Sequence, residues 1–535
     1  MTSDPRIADA LARLPDYLSN HVLVSLVALA IGIAVSLPLA LMSTRWRTLR
    51  TLLLAVTSVV QTIPALALLA LIYPLLLGVS ALCERWLGIG FSALGFAPAV
   101  LALALYSMLP VLRNTITGLA SIDPAVHEAA RGVGMTGRQS LFMVELPLAL
   151  PVIMAGIRTA AVWVIGTATL STPIGQTSLG NYVFSGLQTQ NWVFVLFGCV
   201  AAAVLAIAVD QFLALVESGA RRRSRTRLAA GGIALVLVAL GALVPALSQP
   251  RGTIIVGSKP FGEQYVLAAL IQQRLEAAGL PASRRDGLGS SVILAALAAG
   301  EIDVYVDYTG TIWANAMHRT ASAASDKVLD EVTTWLEQEY GIRTLGRLGF
   351  ENAYALALPR QKAEALGIAS MDDLARHAPR LSIAGDYEFF ARPEWAALRE
   401  AYGLAFRNER QMQPELMYAA VAAGDVDVIS AYTSDGRIAE HDLVVVADPK
   451  HAIPPYDAIL LVAPRRATGR ALGDALRPLV DAIDVRLMRE ANVRATVGAG
   501  ASPDAAARWL WEQIRGLPAR QTQARDPVRM AKDHR

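Results

Sequence analysis

The stretch EAARGVGMTGRQSLFMVELP, residues 128–147, separates two long apolar runs. It is polar and contains Arg131 and Arg138, so it does not suit the interior of a bilayer. Its pattern predicts a helix, a turn and a second helix at a membrane face. We therefore expect this segment to contact another protein at that face.

The composition indicates a membrane protein with a soluble part. Hydrophobic residues make up 54% of the 535 residues and the mean hydropathy is +0.41, which is too apolar for an ordinary globular protein. Residues 1–250 contain 15 arginines, no lysine and 9 acidic residues, whereas the remainder contains more acidic than basic residues. Cys83 and Cys199 lie near or inside apolar runs, which favours free thiols over a disulfide.

Six apolar runs are long enough to cross a bilayer, which takes about 20 residues. They lie near 21–43, 51–78, 92–112, 148–170, 191–216 and 228–248. Arginines concentrate in every second connecting segment, so the positive-inside rule places residues 128–147 in the cytoplasm. The N-terminus and everything after residue 248 then lie outside, with the last span as an anchor. Pro74 marks a potential break in the second run.

Two polar or helix-breaking interruptions lie within the spans. They are QTIP at residues 61–64 and PIGQTSLG at residues 173–180. Polar groups in hydrocarbon face either a transport pathway or a neighbouring helix, and both interpretations stay open.

From Thr253 the pattern changes to short β-rich runs that alternate with Ala/Leu-rich helical runs. This alternation predicts α/β layers with parallel strands. We divide the chain into a membrane domain at 1–250 and an external domain at 251–516 with two lobes, the second at about 355–450. The tail at 517–535 has no apolar period and is predicted to be disordered.

One pattern occurs twice in the external half. AAGEID leads through a β run to Tyr308, and AAGDVD leads through another to Tyr432, with glycine and tyrosine eight residues apart in both copies. A helix that ends at glycine, followed by a strand and a tyrosine, delivers an aromatic ring to the edge of a cleft. Either each lobe contributes one ring to a shared cleft, or both rings pack under loops.

Residues 128–147 resemble the cytoplasmic loop by which permease subunits of ATP-binding-cassette importers engage their ATPases. The matching positions are Glu128, Ala129, Ala130, Gly134, Val144, Leu146 and Pro147. The interruptions at 61–64 and 173–180 are similar to strings in permeases of the osmoprotectant class. The resemblance implies a homodimeric permease in the bacterial inner membrane, surrounded by lipid, with a separate ATPase docked at this coupling stretch (residues 128–147).

The external half resembles the substrate-binding proteins for glycine betaine, choline and related quaternary amines. The stretches that carry this are GSKPFGEQ (257–264), GEIDVYVDYTGT (300–311), ENAYALA (351–357), YTSDGRI (432–438) and PPY (454–456). The resemblance implies a two-lobed fold of the periplasmic-binding-protein type on the periplasmic or extracellular side. It also implies that tyrosines cage a trimethylammonium group, the matching positions being Tyr308, Tyr354, Tyr432 and Tyr456. Gln264 and Thr311 match polar positions that hold the other end of the ligand.

Tyrosines suit such a ligand on physical grounds. A quaternary ammonium has no N–H to donate, whereas an aromatic face attracts it by up to about 2 kcal/mol per desolvated contact. Arg392 pairs either with a ligand carboxylate or only with Asp386 or Glu388. Trp313 extends the cage or changes its size. Glycine betaine, choline or carnitine is therefore the first ligand class, and ergothioneine, a histidine betaine with a thione, is the alternative.

Several functions find no support in the sequence. It contains no G-x-x-x-x-G-K-[ST] string, so we expect no ATP hydrolysis by this chain, no catalytic residues and no bound cofactor. The seven histidines form no metal-spaced cluster, and we expect neither a metal nor a nucleic-acid partner. Glu128 is expected to form a salt link or a helix cap. A membrane-anchored sensor remains a remote alternative, although it would need a cytoplasmic output domain.

Overall fold

A computed structural model describes residues 5–44, 46–88, 95–188, 191–247, 252–319, 323–386, 389–497 and 501–516. The tail at 517–535, for which we predicted disorder, lies outside these residues, as does Glu388. The described part consists of a helical half followed by a half with two mixed sheets. Cys83 and Cys199 are free, as expected.

The helical half contains ten α-helices in its described residues. They are α1 (Pro5–Ser43), α2 (Arg47–Thr62), α3 (Ala65–Leu87), α4 (Phe96–Ala120), α5 (Pro124–Gly132), α6 (Gly137–Ser140), α7 (Leu146–Ala168), α8 (Gly180–Gln188), α9 (Trp192–Arg221) and α10 (Arg225–Leu247). Five helical stretches are long and apolar enough to cross a membrane, and the bent pair α2–α3 brings the number to six. This agrees with the predicted count of about six spans.

The second span breaks at the predicted interruption QTIP (61–64) and not at Pro74, the other potential break. Helix α3 continues through Pro74, whereas the chain bends by 104° between α2 and α3, at Pro64. Ile63 is extended there (φ −71°, ψ 128°), as expected for a residue that precedes proline. Its carbonyl accepts a hydrogen bond from the Tyr106 hydroxyl, and Gln61 donates to the Tyr106 carbonyl at 3.2 Å. The first polar interruption therefore contacts a neighbouring helix, α4.

The second interruption is a short 3-10 segment, Thr169–Ile174, which directly continues α7. Gly175 follows with φ +82°, a conformation that favours glycine. His21 of α1 fixes the segment beyond it, since its Nδ1 accepts from the Leu179 N–H at 3.3 Å. Its Nε2 lies 3.0 Å from the Ile165 carbonyl.

An ion-pair network inside the helical half was not predicted. The Arg158 guanidinium of α7 makes two 2.8 Å bonds to Asp210 and one 3.0 Å bond to Glu217, both on α9. Charges within apolar helices require such partners. The network ties α7 to α9.

The external half contains ten strands in its described residues. They are β1 (Ile254–Gly257), β2 (Ala282–Arg285), β3 (Val304–Tyr308), β4 (Arg343–Glu351), β5 (Tyr354–Pro359), β6 (Ser382–Gly385), β7 (Asn408–Gln411), β8 (Val428–Tyr432), β9 (Leu443–Val445) and β10 (Asp457–Val462). Lobe 1 contains the sheet β2-β1-β3-β10-β4, and lobe 2 the sheet β7-β6-β8-β5-β9. The chain passes into lobe 2 at residues 352–353 and returns at residues 446–456.

Helices cover both sheets. They are α11 (Gly262–Ala277), α12 (Ser290–Ala298), α13 (Thr309–Thr311), α14 (Ser325–Tyr340), α15 (Arg360–Leu366), α16 (Met371–His377), α17 (Pro393–Tyr402), α18 (Pro414–Ala423), α19 (Arg437–Glu440), α20 (Arg470–Leu476), α21 (Val485–Thr496) and α22 (Pro503–Gly516). The prediction of parallel strands is only partly correct, because β10 and β5 run antiparallel to their neighbours. Parallel neighbours require a crossover connection, usually a helix. Strands β5 and β10 instead begin where the chain arrives from the other lobe.

Candidate functional site

The two copies of the repeated pattern place their tyrosines at equivalent positions. Helices α12 and α18 are followed by Gly300 (φ +69°) and Gly424 (φ +81°), which reverse the chain into β3 and β8. Tyr308 and Tyr432 are the last residues of those strands. Both line one cavity of about 290 Å³ to which both lobes contribute.

Two further predicted tyrosines line the same cavity. Tyr354 begins β5 and lies opposite Tyr432 in the strand register, with ring centroids 4.9 Å apart. Tyr456 precedes β10, and its ring is nearly perpendicular to that of Tyr354 at 6.1 Å. The structure therefore brings together the four tyrosines, which we call the cage.

Phe261 is an aromatic wall residue that the sequence analysis missed. Its ring centroid lies 6.2 Å from that of Tyr308 and 6.3 Å from that of Tyr432, and it is parallel to Tyr432 within 2°. It therefore links the tyrosines of the two lobes. The signal was present in GSKPFGEQ, where an aromatic residue follows the β1 end and precedes α11.

Carboxylates accept hydrogen bonds from three of the cage hydroxyls. Tyr308 donates to Glu263 at 2.6 Å, Tyr432 donates to Asp386 at 2.7 Å, and Tyr456 donates to Glu394. Burial, together with these neighbouring acids, raises the pKa of each of the three phenols well above the ordinary value. The phenols thus remain protonated, and their hydrogen bonds hold the rings in place.

Glu263 is a buried acid in the cavity wall. It accepts from Tyr308, from Asn352 Nδ2 at 3.0 Å and from Asn492 Nδ2 at 3.1 Å. Burial raises its pKa, and the donors Ser434, Tyr308 and Asn492 offset part of this effect. No arginine or lysine among the described residues forms an ion pair with it. A cation in the cavity would therefore favour its ionised form.

Arg392 already has hydrogen-bond and aromatic partners within the protein. Its guanidinium lies 4.9 Å from the Tyr354 ring centroid and donates to both oxygens of Glu394 at 3.1 and 3.2 Å. Burial alone would lower the Arg392 pKa, but Tyr354, Tyr456 and Glu394 raise it overall. This partner acid, Glu394, lies two residues after Arg392 and was not predicted.

The other predicted site residues divide into two groups. Thr311 lines the cavity. Gln264 does not; it lies behind Tyr308, donating to the Tyr308 hydroxyl and to the Val306 carbonyl, both at 3.0 Å. Gln264 thus helps to position Tyr308, and its predicted contact with the ligand stays a prediction. Trp313 is also outside the cavity wall, buried in the core of lobe 1.

The coupling stretch folds as a helix, a turn and a second helix, as predicted. Helix α5 ends at Gly132, Gly134 reverses the chain with φ +80°, and α6 leads through a π-helical turn into α7. Glu128 lies exposed on α5, whose cap is Asp123, and no ion pair with Glu128 is found among the described residues. The salt link or cap that we expected is therefore not observed.

The remaining residues of the coupling stretch define its surface. Ala130 is buried, and Ala129 and Pro147 are exposed; Leu146 begins α7. Three large apolar side chains are strongly exposed: Val133 at 75%, Phe142 at 63% and Met143 at 65%. Large apolar side chains exposed on a polar loop are typical of a surface that a protein partner covers.

The fold and the site together define a membrane permease fused to a two-lobed binding domain. The family described as the substrate binding domain of ABC-type glycine betaine transport systems matches residues 252–513. The family described as the binding-protein-dependent transport system inner membrane component matches residues 32–222. The chain belongs to this family of binding-protein-dependent ABC importers, in the fused form that joins permease and binding domain. It is a multi-pass membrane protein and a transporter subunit.

Known relatives cover both halves or one of them. The ergothioneine transport permease/ergothioneine binding protein of Helicobacter pylori is 30% identical over 430 residues, covering 77% of this chain and 74% of the relative. The glycine betaine/carnitine/choline transport system permease protein of Bacillus subtilis is 40% identical over 198 residues, covering 37% and 84%. A solved glycine betaine/carnitine/choline ABC transporter structure is 24% identical, covers 49% of this chain and 98% of its own, and has a TM-score of 0.44.

Proposed function

We propose that this chain imports a small quaternary-ammonium compound, with glycine betaine, choline and carnitine as the first candidates. The observation that carries the proposal is the cage, in which four tyrosines and Phe261 surround one cavity. Aromatic faces attract a cation that has no hydrogen to donate. The buried carboxyl of Glu263 adds a negative charge at the same place.

A second candidate is ergothioneine. A relative that spans both halves of this chain, 30% identical over 430 residues, is named for ergothioneine. As a histidine betaine, ergothioneine carries the same trimethylammonium group as the first candidates, so the cage would hold it in the same way.

The energy for import is proposed to come from a separate ATP-binding-cassette ATPase that docks at the coupling stretch in the cytoplasm. The exposed Val133, Phe142 and Met143 support a protein partner there. Two copies of the chain would form the pathway, and the external domain would lie outside the cell, as the arginine distribution indicates. Co-purification with the ATPase tests this assignment, with Phe142→Asp expected to abolish it.

Calorimetry on the full chain in lipid nanodiscs tests the ligand class. We expect binding of at least one of glycine betaine, choline, carnitine and ergothioneine. The neutral analogue of choline, 3,3-dimethylbutan-1-ol, has the same shape without the charge and is expected to bind at least about 30-fold more weakly, since each desolvated cation–π contact supplies up to about 2 kcal/mol. Equal binding of choline and this analogue would contradict the cage, and binding of ergothioneine alone would select the second candidate.

A further inference from the structure

A charge cluster joins lobe 1 to the first helix of the same chain. Asp504, in the first turn of α22, accepts from Arg13 of α1 and from Arg284 of β2 at 3.1 Å. All three side chains are largely buried: Arg13 is 17% exposed, Asp504 23% and Arg284 12%. One lobe 1 carboxylate is thus shared between an arginine of the permease half and an arginine of its own lobe.

Arg13 is held in position by the permease half before it meets Asp504. Its guanidinium lies 5.8 Å from the Phe194 ring centroid, and it bonds Asp9 one turn earlier in α1 at 3.2 Å. The backbone there is also fixed, because the Tyr182 hydroxyl donates to the Ala10 carbonyl at 2.6 Å. A cation that is already ordered loses little conformational entropy when it forms the pair.

A second contact is made by backbone. The Gly289 N–H approaches the Pro173 carbonyl at 3.5 Å, and a Cβ on Gly175 would lie 2.7 Å from a Leu288 methyl. Pro173 belongs to the 3-10 segment that interrupts the membrane helices and Gly175 directly follows that segment, whereas residues 287–289 belong to lobe 1. The two surfaces therefore approach closely where glycine leaves room.

This second contact lies at one end of a continuous path. Helix α7 has 23 residues, or about 35 Å at 1.5 Å per residue, and runs from the coupling stretch to the 3-10 segment. On the other side, Leu288 is two residues from Ser290, which lines the cavity. Lobe 1 thus rests on the far end of the helix that begins at the coupling stretch.

We propose that Asp504, shared by Arg13 and Arg284, keeps lobe 1 docked on the permease half of its own chain, so that ligand-driven closure moves lobe 2 alone. The contacts described above all come from lobe 1, and lobe 2 is joined to it through residues 352–353 and 446–456. The proposal concerns the position of the external domain and holds for any compound that the cavity binds.

Disulfide formation in the full chain tests this position. In nanodiscs, Pro173→Cys and Gly289→Cys are introduced together with Cys83→Ser and Cys199→Ser. A Cβ on residue 289 meets nothing closer than a Val292 methyl at 4.0 Å, and the charge cluster stays intact. A protease site is inserted between Leu247 and Gly252. After cleavage, the two halves of one chain stay joined only if the disulfide links them. We expect such a link with no additive, with glycine betaine and with ergothioneine.

Three outcomes would overturn the proposal. A product of twice the chain mass would place lobe 1 on a second copy. Absence of a disulfide would show that lobe 1 is not docked on the permease half. A disulfide that forms without additive but not with a compound shown to bind would mean that lobe 1 leaves the permease on closure.

The charge cluster is tested by the rate of the same disulfide. Arg13→Gln and Asp504→Asn are each expected to slow disulfide formation about tenfold. The double variant should be no slower than the slower single variant, because both substitutions break the same contact between Arg13 and Asp504. The matched control is Arg360→Gln, which removes a 2.7 Å pair with Asp442 on the exposed surface of lobe 2. Unchanged rates, or effects that multiply in the double variant, would contradict the role of Asp504. Unaltered binding of choline, glycine betaine or ergothioneine shows that the variants are folded.

Discussion

The cavity and the coupling stretch differ in how far their side chains are ordered by contacts within this chain. In the cavity, aromatic side chains are buried and three phenols bond carboxylates, so the wall is ordered before any ligand arrives. In the coupling stretch, Phe142 and Met143 are largely exposed, as expected for a surface that a partner covers. We therefore expect selectivity to depend on preorganisation within the chain, and energy coupling to depend on complementarity to another protein.

The largest effect is expected for removal of a cage ring. Tyr308→Ala and Tyr432→Ala should each weaken binding of a quaternary ammonium by about 30-fold, since each ring contributes about 2 kcal/mol. Calorimetry on the full chain measures this. The control is Tyr340→Ala, whose ring is 41% exposed on α14, outside the cavity wall. Unchanged affinity in both cage variants would show that the wall is structural only.

A smaller effect is expected in the coupling stretch, at Gly134. Nothing lies within 4 Å of a Cβ added there, so Gly134→Ala introduces only the strain of φ +80°, about 1–2 kcal/mol. Ligand-stimulated ATPase activity should fall about tenfold, with ligand affinity unchanged. Gly132→Ala is the matched control, because it is equally open and lies in the helix α5. Equal losses in the two variants would show that backbone conformation is not the cause.

The same contrast explains what could be predicted from the sequence. The coupling stretch is contiguous, and its helix, turn and helix follow from local patterning, with Gly134 in the turn. The repeated glycine–strand–tyrosine unit likewise identified Tyr308 and Tyr432, because each unit is local. The spans followed from apolar length, yet the bend falls at Pro64 and not at Pro74, since both prolines satisfy the same local rule.

Long-range pairing could not be predicted in this way. Phe261 joins the cage only because β1 and β8 belong to lobes that meet at the cavity. Arg392 donates to the Tyr456 hydroxyl, 64 residues away, at 3.2 Å. Asp504 meets Arg13 across 491 residues. Such partners depend on the tertiary fold, which composition and spacing do not encode locally.

A pH dependence of several-fold is expected from Glu263. Because burial raises its pKa, the folded ligand-free protein holds this proton more tightly than the unfolded chain does. Stability should therefore fall as pH rises from the ordinary glutamate pKa of about 4.3 through the raised value. A bound cation favours the ionised form, so affinity should rise over the same window. Thermal unfolding and calorimetry across pH measure the two trends.

Glu263→Gln separates this group from the other acids of the cavity. Asp435 has a lowered pKa, because Arg437 outweighs the effect of its burial, and it therefore stays ionised throughout the window. The Gln variant should bind a quaternary ammonium with an affinity that no longer rises with pH. If the rise persists in this variant, another group is responsible.

The smallest effect on affinity is expected at Gln264, the residue for which we predicted a ligand contact and which lies behind Tyr308. Gln264→Met leaves the Val306 carbonyl without this donor, and an unsatisfied buried group destabilises by about 1–3 kcal/mol. The melting temperature should therefore fall, while affinity for a quaternary ammonium weakens only about threefold, since the ring of Tyr308 remains. In a Tyr308→Phe background the affinity loss should disappear, because the hydroxyl through which Gln264 acts is gone. An affinity loss that persists there would instead place Gln264 in direct contact with the ligand.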